Sequence, residues 1–255
     1  MNYSGLLGRN IQYTLSPPIH NEYYKKNNIP LEYKKFDIQE DEVEKFLEAL
    51  SKNNIIGFNV TIPYKEYIMN FLQELSYPSD KIKAVNTVAV NDGKLIGYNT
   101  DYFGFIESLK ANNINLQGKK SLIIGSGGAA KAVLYGVKDL GADEIHMVLR
   151  RKESIKEHSM YISKFFNFEE EFDLKNYDIV INCTPLGGAN HIDDCPITIK
   201  NCDNDVIFYD LNYNPKVTKF MELGKRYGAK IINGMDMLYS QAYKSIDIWK
   251  EIIKP

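Results

Sequence analysis

The sequence predicts an α/β protein in two parts, an N-terminal α/β half followed by a doubly wound half built on a parallel sheet. Three observations predict it. From about residue 104, short apolar runs rich in β-branched residues alternate with helical patterns, as in a parallel sheet covered by helices on both faces. The first of those runs leads directly into the glycine-rich "GSGGAA" at the head of a helix. Before residue 104 helices and strands also alternate, but Asp92-Gly93 between two strand-like runs marks a hairpin, so that half is of mixed type.

The elements follow in order. "SPPIHNEYYKKNNI" starts a helix with Ser16 as N-cap and proline just inside, and "LEYKKFDI" is a strand. "EDEVEKFLEALSKNN" is an amphipathic helix, because Val43, Phe46, Leu47 and Leu50 recur at helical spacing. "GFNVTIP" is a strand that Pro63 stops, and "KEYIMNFLQEL" returns to helix. "AVNTVAVNDGKLIGYNTD" is the hairpin, and "YFGFIESLK" is helical. Then "KSLIIG" is a strand and "GAAKAVLYGVKDLGA" a helix ending near Gly141. "EIHMVL", "DIVINC" and "DVIFYDL" are strands; "KVTKFMELGKRYGA" and "MLYSQAYKSIDIWKEII" are helices. Domains are expected at 1–103 and 104–236, with the last helix, 237–255, returning to the first.

Composition excludes several classes. Lysine plus arginine number 31 against 33 aspartates and glutamates, so no basic field points to nucleic acid or an anionic membrane. No apolar run approaches the ~18 residues that a membrane span needs, and "MNYSGLLGRN" lacks the pattern of a secretory signal. Cys183, Cys195 and Cys202 form no CxxC pair, which suits free thiols in a reducing cytoplasm. The four histidines show no metal-ligand spacing, so no metal is expected.

In "LIIGSGGAAKAV", Gly125, Gly127 and Ala130 stand in G-x-G-x-x-A spacing between a strand and a helix. Gly125 permits the tight turn, Gly127 lets backbone approach a pyrophosphate, and the small Ala130 allows close helix–strand contact. Free amides at the helix start then hold the anion, which makes this a Rossmann-type dinucleotide site. The next strand ends in Arg150 and Arg151 with no acid at its tip, and arginine there can hold a 2′-phosphate, so NADP(H) is expected rather than NAD(H). Two solvated surface arginines are the alternative.

Strand alternation puts Ile56, Phe58, Val60 and Ile62 on one face of "GFNVTIPYKEY" and Gly57, Asn59 and Thr61 on the other, with Lys65 carried to that polar side. This suits one wall of a binding cleft; an edge strand with a solvated face is the other reading. Thr14, Ser16, Asn86, Thr87 and the run from Asn99 to Asp101 add similar groups. Ser16 and Asp101 can also be read as helix caps, and Asn86 as a turn residue. Their gathering in one half favours a small, hydroxyl-rich substrate.

Taken together, "TLSP" (14–17), "GFNVTIPYK" (57–65), "AVNT" (84–87), "GYNTD" (97–101), "GSGGAAKA" (125–132), "NCTPLG" (182–187), "YDLNYNP" (209–215) and "NGMDMLYSQA" (233–242) resemble the shikimate dehydrogenase family along nearly the whole chain. The resemblance implies NADP-dependent reduction of 3-dehydroshikimate to shikimate, on the route to chorismate and the aromatic amino acids. It implies Lys65 and Asp101 as the catalytic pair. Thr14, Ser16 and Tyr213 would hold the substrate carboxylate, and Asn59, Thr61, Asn86, Asp101 and Gln241 the ring hydroxyls. Gly125, Ser126, Gly127, Gly128 and Ala129 would take the pyrophosphate, Arg150 and Arg151 the 2′-phosphate, and Thr184, Leu211 and Gly234 would line the nicotinamide end. The expected partner is a small molecule, with no nucleic acid or membrane, acting as monomer or homodimer.

Three residues depart from the family pattern: Thr14 where serine is usual, Leu149-Arg150-Arg151 where Asn-Arg-Thr is common, and Lys83 where glycine is usual. A sister enzyme accepting quinate with NAD, a non-catalytic dinucleotide-binding module and a methylene-tetrahydrofolate-type dehydrogenase are the rival readings. Retention of Lys65 and Asp101 argues against the second, and "TLSP" and "GYNTD" give the third no support.

Overall fold

The computed structural model describes residues 1–253. The chain divides into two compact units, Met1–Gly104 with the stretch from Tyr239 onward, and Phe105–Leu238.

The first unit contains β1 (Asn2–Gly8), α1 (Ser16–Lys26), β2 (Leu31–Asp37), α2 (Val43–Glu48), β3 (Gly57–Val60), β4 (Glu74–Leu75), α3 (Ser79–Ile82), β5 (Thr87–Asn91) and β6 (Lys94–Tyr98), with α4 (Thr100–Ala111) beginning at its edge. Its six-stranded sheet runs β2-β1-β3-β5-β6-β4. β3 lies inside that sheet, parallel to β1 and antiparallel to β5, so it is not an edge strand. Asp92 (φ 49°) and Gly93 (φ 77°) both take positive φ in the β5–β6 turn, the backbone that an Asp-Gly hairpin requires.

One face of this sheet carries Leu7, Phe58, Val60 and Val88, packed with Val43, Leu50, Tyr64, Ile68 and Val85. The other cluster joins Leu6, Ile11, Tyr24, Leu31, Tyr33 and Ala89 to Ile246 and Trp249 of α7 (Met235–Ile253). A side chain at Gly57 would run into the Trp249 ring, so the absence of one there lets α7 lie on β3. Phe58 and Val60 share a face as alternation requires, but Ile56 packs against the opposite cluster and Ile62 is 60% exposed. The reason is that regular pairing covers only Gly57–Val60, so the period-2 pattern does not extend through both ends of the apolar run.

Local structure differs from the sequence expectation at three further points. The cap of α1 is Leu15, not Ser16, and Thr14 Oγ1 accepts from Ser16 N at 3.2 Å. The helix expected from Glu40 begins as a 3₁₀ turn, Glu40–Glu42, fixed by a reciprocal Gln39–Glu42 capping box, and α2 is only six residues. "KEYIMNFLQEL" forms a 3₁₀ turn, Tyr67–Phe71, and then β4. Backbone bonds from Gln73 N to Leu95 O and from Ser76 N to Gly97 O draw that segment onto β6, and sheet pairing overrides helical periodicity.

The second unit contains β7 (Lys120–Ile124), α5 (Gly128–Asp139), β8 (Glu144–Val148), β9 (Lys164–Phe166), β10 (Glu171–Asp173), β11 (Ile179–Asn182), β12 (Thr198–Asn201), β13 (Ile207–Asp210), α6 (Lys219–Arg226) and β14 (Lys230–Ile232). Its main sheet is wholly parallel in the order β14-β13-β11-β7-β8-β9, while β10 and β12 pair separately. Taken from the other edge this is the 3-2-1-4-5-6 order of a dinucleotide-binding fold, whose switch point lies between β7 and β11. Buried Leu122, Ile123, Ile124, Val180 and Ile181 fill both faces, as continuous apolar strands should. Gly141 (φ 80°) follows the C-cap of α5 in the left-handed conformation that ends a helix. β1, β9, β10, β12 and β14 are not among the elements expected from sequence.

Candidate active site

The turn after β3 delivers Lys65. Thr61 N donates to Leu7 O at 2.9 Å and Tyr64 N to Thr61 O at 2.9 Å, so the chain reverses past the strand end. Lys65 O then accepts from Val85 N at 2.7 Å, and Asn86 O from Val60 N at 2.8 Å. These bonds fix "AVNT" beside the lysine. The Thr61 methyl packs over Gly8, where a Cβ would be too close.

Lys65 Nζ stands 2.5 Å from Asp101 Oδ2, with 15% and 10% of their side chains exposed. Asp101 sits in the first turn of α4 and is not its cap; Asn99 Oδ1 accepts from Tyr102 N at 3.1 Å instead. Asn86 Nδ2 donates to Asp101 Oδ1 and to Thr100 Oγ1, both at 2.9 Å, and Asn86 Oδ1 accepts from Thr100 N at 2.5 Å. Gln241 Oε1 completes the group, 3.5 Å from Asn86 Nδ2 and 3.4 Å from Thr100 Oγ1. A carboxylate held on both oxygens, facing a half-enclosed ammonium, is an arrangement built to present one cation at a defined point.

Asn59 belongs to the same network but one layer behind. Its Oδ1 accepts from Tyr33 Oη at 2.7 Å, and Nδ2 donates at 2.8 Å to both Thr87 Oγ1 and Ser245 Oγ. Ser16 and Thr14 pair with each other, their hydroxyls 3.2 Å apart, and Ser16 O faces His20 Nδ1 at 2.8 Å. That imidazole is buried and stacked on Tyr33 at 3.9 Å; burial pushes its pKa down to about 4, and Nε2 has no partner. Tyr213, expected beside Thr14 and Ser16, belongs to the second unit.

In the second unit, Gly125 (φ 110°) accepts the turn after β7 and bonds through its N to Val148 O at 2.8 Å. A Cβ there would also meet Thr184 Cγ2 at 3.2 Å, which places Thr184 against the turn. Gly127 caps α5 and is exposed, while Ala130 is fully buried against the sheet. The first intrahelical bond runs from Lys131 N to Gly127 O, so the amides of Gly128 and Ala129 remain outside the ladder. Ser154 Oγ lies 2.7 Å from both Ser126 Oγ and Arg151 O, tying the turn to the segment after β8. Leu149 is buried in the core, whereas Arg150 and Arg151 are exposed. Gly234 packs directly on the Leu211 backbone, and Gly234 N donates to Asn212 O at 3.1 Å.

Sequence reasoning misses the buried residues that hold these loops. Asp210 accepts from Asn182 Nδ2 (3.1 Å), Asn212 N (2.9 Å), Asn212 Nδ2 (2.9 Å) and Thr218 Oγ1 (2.6 Å). Burial raises its pKa to about 6 despite these four donors. Asn182 Oδ1 in turn takes Thr184 N and Oγ1 at 3.0 and 2.7 Å. The available signal is a polar residue closing each apolar run, Asn182 and Asp210. Cys183, also here, has its thiol pushed well up by burial. Among the described residues no group of three or more metal-ligating side chains stands together, and no helix is long and apolar enough to cross a membrane.

Comparison with known proteins matches these features. The family model described as the shikimate dehydrogenase substrate binding domain matches residues 6–88. The chain is 51% identical over 249 residues to shikimate dehydrogenase (NADP(+)) of Clostridium botulinum strain 657, covering 98% of this chain and 96% of that protein. Among solved structures, shikimate dehydrogenase 1 of Peptoclostridium difficile superposes with a TM-score of 0.88 at 36% identity, over 100% of this chain and 94% of that one. The Thermus thermophilus enzyme in complex with NADP(H) and shikimate gives 0.88 at 26% identity, over 100% and 95%. The chain belongs to the shikimate dehydrogenase family.

Proposed function

We propose that the protein is an NADP-dependent oxidoreductase that reversibly reduces 3-dehydroshikimate to shikimate, a step of chorismate and aromatic amino acid formation. The observation that carries this reading is the Lys65–Asp101 pair, half-enclosed and wired to Asn86, in a chain of this family. NADP, the cofactor named for the relatives, fits the residues present. A Cβ added at Gly127 would meet nothing within 4 Å, so that glycine leaves open backbone beside the unladdered amides of α5, with Arg150 and Arg151 exposed at the end of β8. Gly125 to Ala129 would hold the pyrophosphate, the two arginines the 2′-phosphate, and Thr184, Leu211 and Gly234 the nicotinamide end.

When bound, NADPH supplies the hydride for the ketone carbon. Lys65 acts on the oxygen: its ammonium hydrogen-bonds the carbonyl, stabilises charge as it develops, and gives up the proton. In oxidation the neutral lysine takes the proton back. Asp101 orients Lys65 and, with Thr61 and Gln241, meets the ring hydroxyls; Asn86, whose amide hydrogens already go to Thr100 Oγ1 and Asp101 Oδ1, joins them only through Oδ1. Asn59 offers only the second lone pair of Oδ1, its other positions being bonded within the protein. Thr14 and Ser16 take the substrate carboxylate, with Tyr213 as a further contact. Free Cys183, Cys195 and Cys202 support a cytoplasmic site of action, and a monomer or homodimer is the proposed state.

The test is absorbance at the nicotinamide band with purified protein, supplying shikimate or quinate against NADP⁺ or NAD⁺. Turnover of shikimate with NADP⁺ is expected. Turnover confined to quinate, or none with either acid, would overturn the assignment.

A further inference from the structure

We propose that Ser245 is a positioning residue for the reaction, acting through Asn86 on Asp101; this rests on the proposed function. Ser245 lies one turn after Gln241 on α7, and its side chain is fully buried. Its Oγ bonds Gln241 O at 2.9 Å, the usual way for a helical serine to discharge its proton. That leaves the oxygen as an acceptor. Asn59 Nδ2 donates to it at 2.8 Å, and Thr87 Oγ1 and Thr100 Oγ1 stand at 3.0 and 3.2 Å.

One oxygen thus faces three side chains from β3, β5 and the start of α4, and its two lone pairs accept from Asn59 Nδ2 and one of the two threonine hydroxyls. Both threonines are immediate supports of Asn86, since Thr100 contacts both ends of its amide and Thr87 Oγ1 lies 3.4 Å from Asn86 Oδ1. The Asn86 amide must point its Nδ2 at Asp101 Oδ1 to hold the carboxylate square to Lys65. An amide has two orientations that differ by a half-turn, and only the surrounding donors and acceptors choose between them. Thr100 N on one end makes that choice directly. Ser245 makes it collectively, by fixing which hydroxyls of the cluster accept. Remove its oxygen and Thr87, Thr100 and Asn59 Nδ2 must re-pair inside a closed space, where each lost partner leaves a buried polar group.

The experiment uses full-length Ser245→Ala, with Ser245→Cys as a volume-keeping variant that supplies only a weak acceptor. Ser245→Ala is expected to lower kcat with shikimate and NADP⁺ about tenfold with KM changed less than about threefold, and Ser245→Cys to fall between it and the parent. The deciding readout is a cycle with Asp101→Asn. In that background the carboxylate that Ser245 helps to aim is gone, so Ser245→Ala should add little further loss. The same fractional loss in both backgrounds, or an unchanged kcat in Ser245→Ala, would overturn the proposal. A separate arm needs no turnover: ¹⁵N NMR of the Asn86 side-chain amide, whose proton exchange should quicken at least tenfold in Ser245→Ala. If the parent fails to oxidise shikimate, the functional reading falls, and the Asn86 exchange rate alone decides for or against the positioning role.

Discussion

His20 makes the stability of the first unit pH-dependent in a direction and size that can be worked out. Its Nδ1 faces the Ser16 carbonyl, so that nitrogen carries the proton and Nε2 is a bare, buried acceptor without a partner. Protonating Nε2 would place a charge against Tyr33 and Trp249, and burial accordingly pulls the pKa from 6.5 to about 4. The unfolded chain then binds the proton first as pH falls, so stability is complete above the unfolded pKa and is lost between about pH 6.5 and 4. Integrating that difference gives a loss of about 2 kcal/mol between pH 7 and pH 5. Trp249 is the single tryptophan, is fully buried and sits 5.9 Å from the His20 ring, so its fluorescence follows this unit. Urea unfolding watched by that signal should show the loss in the parent protein, and His20→Phe, which keeps the stack on Tyr33, should flatten it. A parent and variant with the same pH slope would refute the reasoning.

Three further outcomes rest on named contacts. Lys65→Ala should lower kcat by roughly 10²–10⁴ with KM moving much less, as loss of the proton donor requires; near-normal turnover would reject the role. Lys83 occupies a left-handed position (φ 57°, ψ 36°) at the end of α3 and is exposed, so Lys83→Gly should raise stability by about 0.5–1 kcal/mol in urea unfolding. Removing both Arg150 and Arg151 side chains should raise KM for NADP⁺ about tenfold or more and leave KM for NAD⁺ nearly unchanged; equal kcat/KM for the two cofactors in the parent would count against the 2′-phosphate assignment.

What is legible in the sequence is what local chemistry dictates. The G-x-G-x-x-A turn, the Asp92-Gly93 hairpin and the apolar strands of the second unit each answer a constraint contained within a few residues, and the structure places them accordingly. The segment 66–75 departs from its helical spacing because that spacing, though real, is weaker than the backbone bonds that β6 offers across the sheet. Lys83 becomes intelligible through its φ: the glycine usual at that position suits the left-handed backbone that Lys83 adopts.

The polar residues of "GFNVTIPYKEY" show where reading by spacing stops. Alternation correctly separates Asn59 from Phe58 and Val60, and a binding wall is a reasonable inference from a polar face that the fold should cover. What covers it is α7, whose Ser245 lies 186 residues further along the chain, and whose Trp249 fills the space left by Gly57. No period within a strand can reveal a partner at that distance; only the fold brings the acceptor to the donor. The consequence is a division of labour among residues of one type. Asn59 and Asn86 are both buried amides in neighbouring strands and loops, yet the first turns both ends toward the protein while the second turns one toward the Asp101 carboxylate. Both amides have their donors bonded; one whose partners are all neutral stabilises an arrangement, and one that gives a donor to the carboxylate at the reacting lysine sets the chemistry. Asn59→Asp tests that division: a carboxylate there loses both Nδ2 donations to Thr87 and Ser245, so folding stability should fall by more than about 2 kcal/mol. Asn86→Asp should instead lower kcat most, by setting a second anion beside Asp101. Equal stability losses with equal kcat losses in the two variants would show that the two amides do the same work.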